Sequence, residues 1–313
     1  MKKIGIVITY PFGATVNRIA SIINVLNEYE IHLIGPVDNS YLSNFNTNNA
    51  LEIHSVRAYK KTSNNFFIRY FFEFIYSIKC SRKLKSLSCD IELLSIPFIS
   101  LAITSSLFKS TGTQIIDIRD LVWEYLSRKT IFEKIIYNIV KHVHLRALRN
   151  YNFITVTNKN ELYKLESDLP KIKKEIISNG ISKYKFDQIQ ETIQSVNPET
   201  EKIRITYIGN VGIAQDLWSF ITIIKDYKNI ELIIVGDGND YNSLLNKINT
   251  YKIINVKFIG RVPENDVIKY YSETDYLWAK LDPRFTTAIP SKLYEYLSTG
   301  KPIIYSGIGA AVQ

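Results

Sequence analysis

The chain has 313 residues, enough for two domains of ordinary size, and its composition of 46% hydrophobic and 22% charged side chains excludes a disordered or fibrous class. No uncharged run is long enough to cross a bilayer, and "MKKIGIVITYPF" is not expected to act as a leader, because Tyr10-Pro11-Phe12 breaks its apolar run and no small-residue cleavage site follows. The net charge is +9 and sits in the first half, where residues 1–190 carry 26 basic against 16 acidic side chains, so an anionic partner is expected.

Taken in chain order, "KIGIVIT", "EIHLIG", "IELLSI", "QIIDI" and "NFITVT" read as strands separated by helix-period segments. Residues 182–202 then form a polar stretch without a strong apolar stripe, holding Asn197-Pro198, and read as a linker with room for a short helix. A second series follows: "IRITYIG", "IELIIVG", "NVKFIG", "TDYLWA" and "KPIIYS", each leading through a turn into a helical stretch. The expected fold is α/β, with two Rossmann-like, doubly wound domains facing a cleft: residues 1–181, the linker 182–202, and residues 203–313. Ligands of such sheets bind at the C-terminal ends of the strands, so function is sought in the loops that follow them.

Four loops of the second half stand out. Gly209, Asn210 and Gly212 precede a helix that starts near Ala214, Gly236-Asp237-Gly238 makes a tight turn after a buried strand, and Gly260-Arg261-Val262 closes a third. Glycines let backbone approach a ligand, and amides at a helix start favour anions. The fourth loop is "AIPSKLYEYLSTGKPII", where Pro290 opens a helix and leaves the amides of Ser291 and Lys292 free for an anion. Lys292 adds a full charge, and Glu295, one turn deeper, can accept hydrogen bonds from vicinal hydroxyls such as those of a ribose. The alternative is that Lys292 and Glu295 form an i,i+3 surface pair. The cysteines, Cys80 and Cys89, have no metal-type spacing and imply a reducing compartment. The four histidines are not expected to cluster, and no metal site is expected. No zinc-finger or RNP-type signature is present, so nucleic acid is not an expected partner.

On "YIGNVGIAQDL", "IIVGDG", "VKFIGRVPENDV" and "IPSKLYEYLSTGKPII" the chain resembles the two-domain (GT-B fold) glycosyltransferases of family 4, in particular the amino-sugar transferase branch of bacterial surface-polysaccharide pathways. In the first half "DIRDLVWEYL" (117–126), "NFITVTNKNELYKL" and "IISNGI" (176–181) resemble the same branch. The resemblance implies transfer of a sugar from a nucleoside diphosphate, by family a uridine diphosphate, to a hydroxyl, with retention and without a metal or other cofactor. Glu295 matches the second glutamate of the family's Glu-x7-Glu motif, which holds the ribose, while the first falls at Thr287. The basic pair that grips the diphosphate falls at Asn210 and Gln215, both uncharged, which leaves Lys292 with the Ser291 and Lys292 amides to take over. Gly209, Gly212, Gly236, Asp237, Gly238, Arg261, Val262 and Pro290 complete the donor site. The family's active-site histidine falls at Arg119, beside Asp120, which makes these two and Lys292 the catalytic candidates. Gly13 stands alone in "TYPFGATVNR", where relatives often have paired glycines.

Relatives continue beyond the position of "YSGIGAAVQ", so the second domain is expected to be incomplete at its C-terminal side. The segments 64–87 and 129–150 combine aromatic and basic residues as amphipathic helices at an anionic membrane do. A lipid-linked or glycan acceptor, and a cytoplasmic protein held at the inner face of the cell membrane, follow as expectations. The rival readings are a nucleotide-sugar epimerase of the same fold and a non-catalytic partner subunit that binds nucleotide or glycan.

Overall fold

The computed structural model describes residues 1–9, 14–37, 50–57, 66–96, 99–108, 110–195 and 201–312. Two compact units divide the chain, Met1–Asn179 and Gly180–Gln313. The first runs β1 (Lys2–Val7), α1 (Ala14–Val25), β2 (Tyr29–Gly35), β3 (Leu51–Ser55), α2 (Phe66–Ser86), β4 (Ile91–Ile96), α3 (Ile99–Ser106), β5 (Thr113–Ile118), α4 (Ile131–Leu148), β6 (Phe153–Val156), α5 (Lys159–Asp168) and β7 (Lys173–Ile176). Its seven strands are all parallel in the order β3-β2-β1-β4-β5-β6-β7, with the direction of winding reversing between β1 and β4. Helices cover both faces, so the central strands are buried on both sides and read as continuous apolar runs. Ile4, Ile6, Ile31 and Leu33 pack against Ile19 and Ile23 of α1 on one side. Val7, Ile34, Leu94 and Ile116 pack with Cys80 and Leu84 of α2 on the other.

The strands legible in the sequence are β1, β2, β4, β5 and β6. The two overlooked are the edges β3 and β7, short strands in which no residue is fully buried. An edge strand buries too little surface to need a continuous apolar run, which leaves it quiet in the sequence.

The second unit runs α6 (Lys183–Ser195), β8 (Ile203–Ile208), α7 (Leu217–Ile224), β9 (Ile230–Val235), α8 (Tyr241–Thr250), β10 (Val256–Gly260), α9 (Glu264–Ser272), β11 (Tyr276–Lys280), α10 (Ser291–Ser298) and β12 (Ile303–Ser306). Its five strands are parallel in the order β10-β9-β8-β11-β12, reversing between β8 and β11. All five strands expected in this half are present. The segment expected as a linker is instead mostly α6, which is part of the second unit. Ile189 is fully buried with Ile268, Tyr271 and Tyr296, and Ile193 lies against the same cluster. Two isoleucines four residues apart are enough to dock a helix along one stripe, yet among glutamines they form a weak pattern. Asn197 and Pro198 lie outside the described residues, as does Gly13.

Cys80 and Cys89 are free thiols, both buried. Burial pushes the Cys80 thiol up to about 12 and that of Cys89 to about 11, which makes both poor nucleophiles. Among the described residues no helix is long and apolar enough to cross a membrane.

Candidate functional site

The three loops after β8, β9 and β10 are laced together through their backbones. Gly209 N–H donates to the Val235 carbonyl at 2.9 Å, and Gly236 N–H donates to that of Gly260 at 2.8 Å. Val211 N–H reaches the Asp237 carbonyl at 3.0 Å, and Asp240 N–H returns to the Val211 carbonyl at 3.0 Å. Gly236 has φ +142°, and a Cβ there would run into the carbonyl oxygen of Gly209. Only glycine fits such a crossing. Gly238 is tucked against Val211 in the same way. Asn210 and Gln215 lie 3.5 Å apart around Gly212.

α10 completes this edge. Tyr296 stands fully buried with its hydroxyl bridging the N–H and the carbonyl of Ile208, at 2.8 and 3.1 Å, which fixes the helix to the end of β8. Pro290 begins the helix without a side-chain cap, and the amides of Ser291 and Lys292 have no acceptor within the helix. The Lys292 stem passes 3.8 Å from where a side chain on Gly209 would begin. The helix start, its lysine and the first glycine loop are therefore neighbours.

Glu295 is 9% exposed, so it is no surface residue. Its Oε2 accepts from the Tyr271 hydroxyl at 2.9 Å and from Lys292 Nζ at 3.1 Å, and it pairs with Lys185 Nζ at 3.3 Å. Burial pushes the carboxyl up, but Lys292 and Lys185, then Tyr271, outweigh it and hold the group below the ordinary glutamate value. The i,i+3 pair expected as one alternative thus exists, but as part of a buried cluster. All these contacts fall on Oε2, and Oε1 takes none among the described residues. Lys185 and Tyr271 were not legible, because Lys185 stands in the supposed linker and Tyr271 reads as one more core aromatic.

A second pair of charges braces the same edge. Lys280, the last residue of β11, donates to Asp216 Oδ2 at 2.6 Å and to Ser219 Oγ at 2.7 Å. Asp282 N–H then reaches the Ala214 carbonyl at 2.9 Å, joining the loop after β11 to the one after β8. Thr287 is buried, and Arg261 is exposed. A groove of about 570 Å³ lies along α6 and α9, lined by Gln188, Thr192, Val262 and Asp266 among others. Of the expected site residues it takes in Val262 alone, so it is a helix seam and not the loop edge.

In the first unit Arg119 and Asp120 follow β5 but do not hydrogen-bond each other. Arg119 Nη1 donates to Thr15 Oγ1, and Asp120 Oδ1 accepts from the Tyr125 hydroxyl at 2.8 Å. Burial pulls the Arg119 guanidinium down and pushes the Asp120 carboxyl up. The ion pair that does form is deeper. Arg18 of α1 donates to both oxygens of Asp117 at 2.9 and 2.6 Å, with the two side chains 3% and 0% exposed. Ser95 and Thr155 add hydrogen bonds to Asp117 from the neighbouring strands, and Arg18 goes on to the Ile177 carbonyl at 2.6 Å.

The segment ending α2 has a core face and an open side on which Lys79 and Arg82 are exposed. Lys85 pairs with buried Glu92 at 2.8 Å, and Tyr76, Ser77, Cys80, Ser81 and Leu84 face the core. α4 is different. A capping box of Thr130 and Glu133 starts it, and Ile131 and Phe132 (80% and 70% exposed), Ile135, Ile136, Ile139 and Val143 leave an open apolar stripe. His32 and His54, expected to be unrelated, lie side by side across β2 and β3.

Residues 188–312 match the family model described as glycosyl transferases group 1. The second unit carries a group 1 glycosyltransferase domain. Solved structures extend the likeness to the whole chain. Sucrose-phosphate synthase from Thermosynechococcus elongatus matches at a TM-score of 0.72 and 10% identity, over 99% of this chain and 82% of its own. Anabaena HepE in complex with UDP and glucose matches at 0.70 and 12%, over 100% and 82%. The lipopolysaccharide outer core galactosyltransferase WaaB matches at 0.58 and 15%, over 97% and 80%. No curated protein matches the chain. At these identities the likeness carries the fold, which is that of the GT-B glycosyltransferases. The laced glycine loops, Lys292 and Glu295 all lie within the glycosyltransferase domain.

Proposed function

We propose that the chain transfers a sugar from a UDP-sugar to an acceptor hydroxyl, with α10 and the three glycine loops as the donor site. The carrying observation is the junction at Ile208–Gly209, where a free helix N-terminus, Lys292 and buried Glu295 meet. The solved structures of similar fold include Anabaena HepE bound to UDP and to UDP-glucose, which supports this nucleotide. In this reading the diphosphate lies on the amides of Ser291 and Lys292, whose dipole and charge oppose the negative charge that grows as the sugar leaves. The bond from the anomeric carbon to the diphosphate breaks, a bond to the acceptor oxygen forms, and the acceptor proton passes to the departing diphosphate. The ribose lies on Glu295, whose Oε2 is fixed by Tyr271 and the two lysines so that Oε1 can accept. Amides and lysine supply the positive charge here, so binding needs no divalent metal, and we propose retention of configuration. In the first unit, Arg119 and Asp120 are proposed to face the acceptor.

Calorimetry with UDP and with uridine tests the donor site. Glu295→Gln should weaken both by about 1.5–3 kcal/mol, roughly 10- to 150-fold in Kd. Lys292→Ala should weaken UDP and leave uridine nearly unchanged. A strict need for magnesium, or equal affinity in all three proteins, would sink the assignment.

The acceptor is proposed to be a lipid-linked or glycan hydroxyl in surface-polysaccharide synthesis, with the protein at an anionic membrane face. The open apolar stripe of α4, flanked by Lys134, Lys141 and Arg146, supports this, since apolar area and basic charge together hold a helix in an interface. Co-sedimentation should show binding to anionic vesicles that Ile135→Asp with Ile139→Asp abolishes while UDP affinity is kept. Equal sedimentation of the two proteins would point to a soluble acceptor.

A further inference from the structure

Four polar side chains on the edge of the first sheet serve nothing described so far. The parallel register sets His32 beside Glu52 and Ile34 beside His54, so Glu30, His32, Glu52 and His54 project from one face of β2 and β3. Their arrangement is ordered. Glu30 Oε1 lies 3.1 Å from His32 Nε2 and 3.5 Å from Lys3 Nζ. With the proton on Nε2 toward that carboxylate, the Nδ1 lone pair faces the two residues of β3. His54 Nε2 is 3.0 Å from that Nδ1, a Glu52 oxygen is 3.3 Å from it, and the other Glu52 oxygen is 3.6 Å from His54 Nε2.

We propose that His32, His54 and Glu52 form a divalent transition-metal site of the zinc class, with Glu30 as the carboxylate that orients His32. Four-coordinate zinc has bonds of about 2.0–2.2 Å, and the edge of such a tetrahedron is about 3.4 Å. The two ring nitrogens are 3.0 Å apart, and one ligand atom from each of the three residues lies within 4.8 Å of the other two, so turns of the side chains can bring the set to that edge. The imidazole planes lie within 19° of each other, so one ion can sit close to both ring planes once the rings turn in plane and their lone pairs converge. Two nitrogens and one oxygen suit zinc, cobalt or nickel. Magnesium and calcium prefer all-oxygen shells. His32 is 3% exposed whereas Glu52 is open to solvent, which gives an ion one side to enter by and leaves a position for water. Lys83 approaches His54 and opposes a cation, and the two glutamates offset it. The ion would tie edge strand β3 to the sheet, at a place distinct from the sugar-transfer residues.

Equilibrium dialysis of the full chain against buffered zinc tests this, with cobalt uptake followed by its visible absorption. One ion per chain is expected, the cobalt spectrum should be that of a four-coordinate ion, and zinc should raise Tm. Glu52→Gln and His54→Gln, at the rim of the sheet, should abolish uptake while Tm without metal stays near that of the parent. Glu30→Gln should cost 10- to 100-fold in affinity through His32. No uptake by the parent chain, or equal uptake after both rim substitutions, would leave a hydrogen-bonded histidine pair only and overturn the proposal.

Discussion

Replacing Asp117 with Ala should destabilise the first unit by about 3–5 kcal/mol, a large fraction of the total stability of a domain. The cost arises from what remains behind. Arg18 is 3% exposed at its side chain and cannot reach water, so removal of the carboxylate leaves a buried guanidinium with a carbonyl and an amide as partners. Ser95 and Thr155 lose their acceptor in the same step. Urea unfolding should show an earlier midpoint with an unchanged slope. Removing both charges together, as Arg18→Met with Asp117→Leu, should cost clearly less than Asp117→Ala, since no lone charge then stays inside. If the single and double substitutions cost the same, the pair is not what braces the edge. The consequence reaches the two residues we propose to face the acceptor, because Arg119 and Asp120 follow Asp117 by two and three residues.

The contrast between Asp117 and its neighbours shows where sequence reading works and where it stops. "QIIDIRD" presents three charges at a strand end, and nothing in the run itself says which of them is paired. The fold pairs Asp117 with Arg18, 99 positions away, through the packing of α1 on the sheet. A carboxylate inside an apolar strand does signal that a buried partner exists, but only the topology says which. The same limit hid Lys185 from Glu295 and His32 from His54. The loops of the second unit were legible because their information is local: a glycine that must allow a crossing, a proline that opens a helix, a lysine two residues on.

Glu161 should make the first unit less stable as pH rises from 5 to 8. It is fully buried at the start of α5, and its Oε2 accepts from Thr157 N–H and Oγ1 at 2.9 and 2.7 Å. Its Oε1 is buried and finds no donor among the described residues. Burial therefore dominates, with the Asp120 charge adding to it, and lifts the carboxyl to about 8 from an ordinary 4.5. The folded state holds this proton at pH values where the unfolded chain has released it. Below pH 4.5 both states are protonated and the group costs nothing. Between 4.5 and 8 the folded state must keep a proton that solvent would take, and at 1.36 kcal/mol per unit this costs about 3 kcal/mol by pH 7. Glu161→Gln stays neutral throughout and keeps an oxygen for Thr157. Thermal unfolding of the two proteins should nearly coincide at pH 4.5 and diverge steadily toward pH 8, with the variant the more stable at the upper end. Parallel curves across that range would mean that Glu161 is ionised in the folded state and that an unseen donor meets Oε1. Because Asp120 follows β5 and Glu161 starts the helix after the adjacent β6, a protonated Glu161 also spares Asp120, the residue we propose to face the acceptor, a neighbouring charge. The pH profile of sugar transfer by Glu161→Gln should then keep the parent's acidic limb, while Asp120→Asn should lose it.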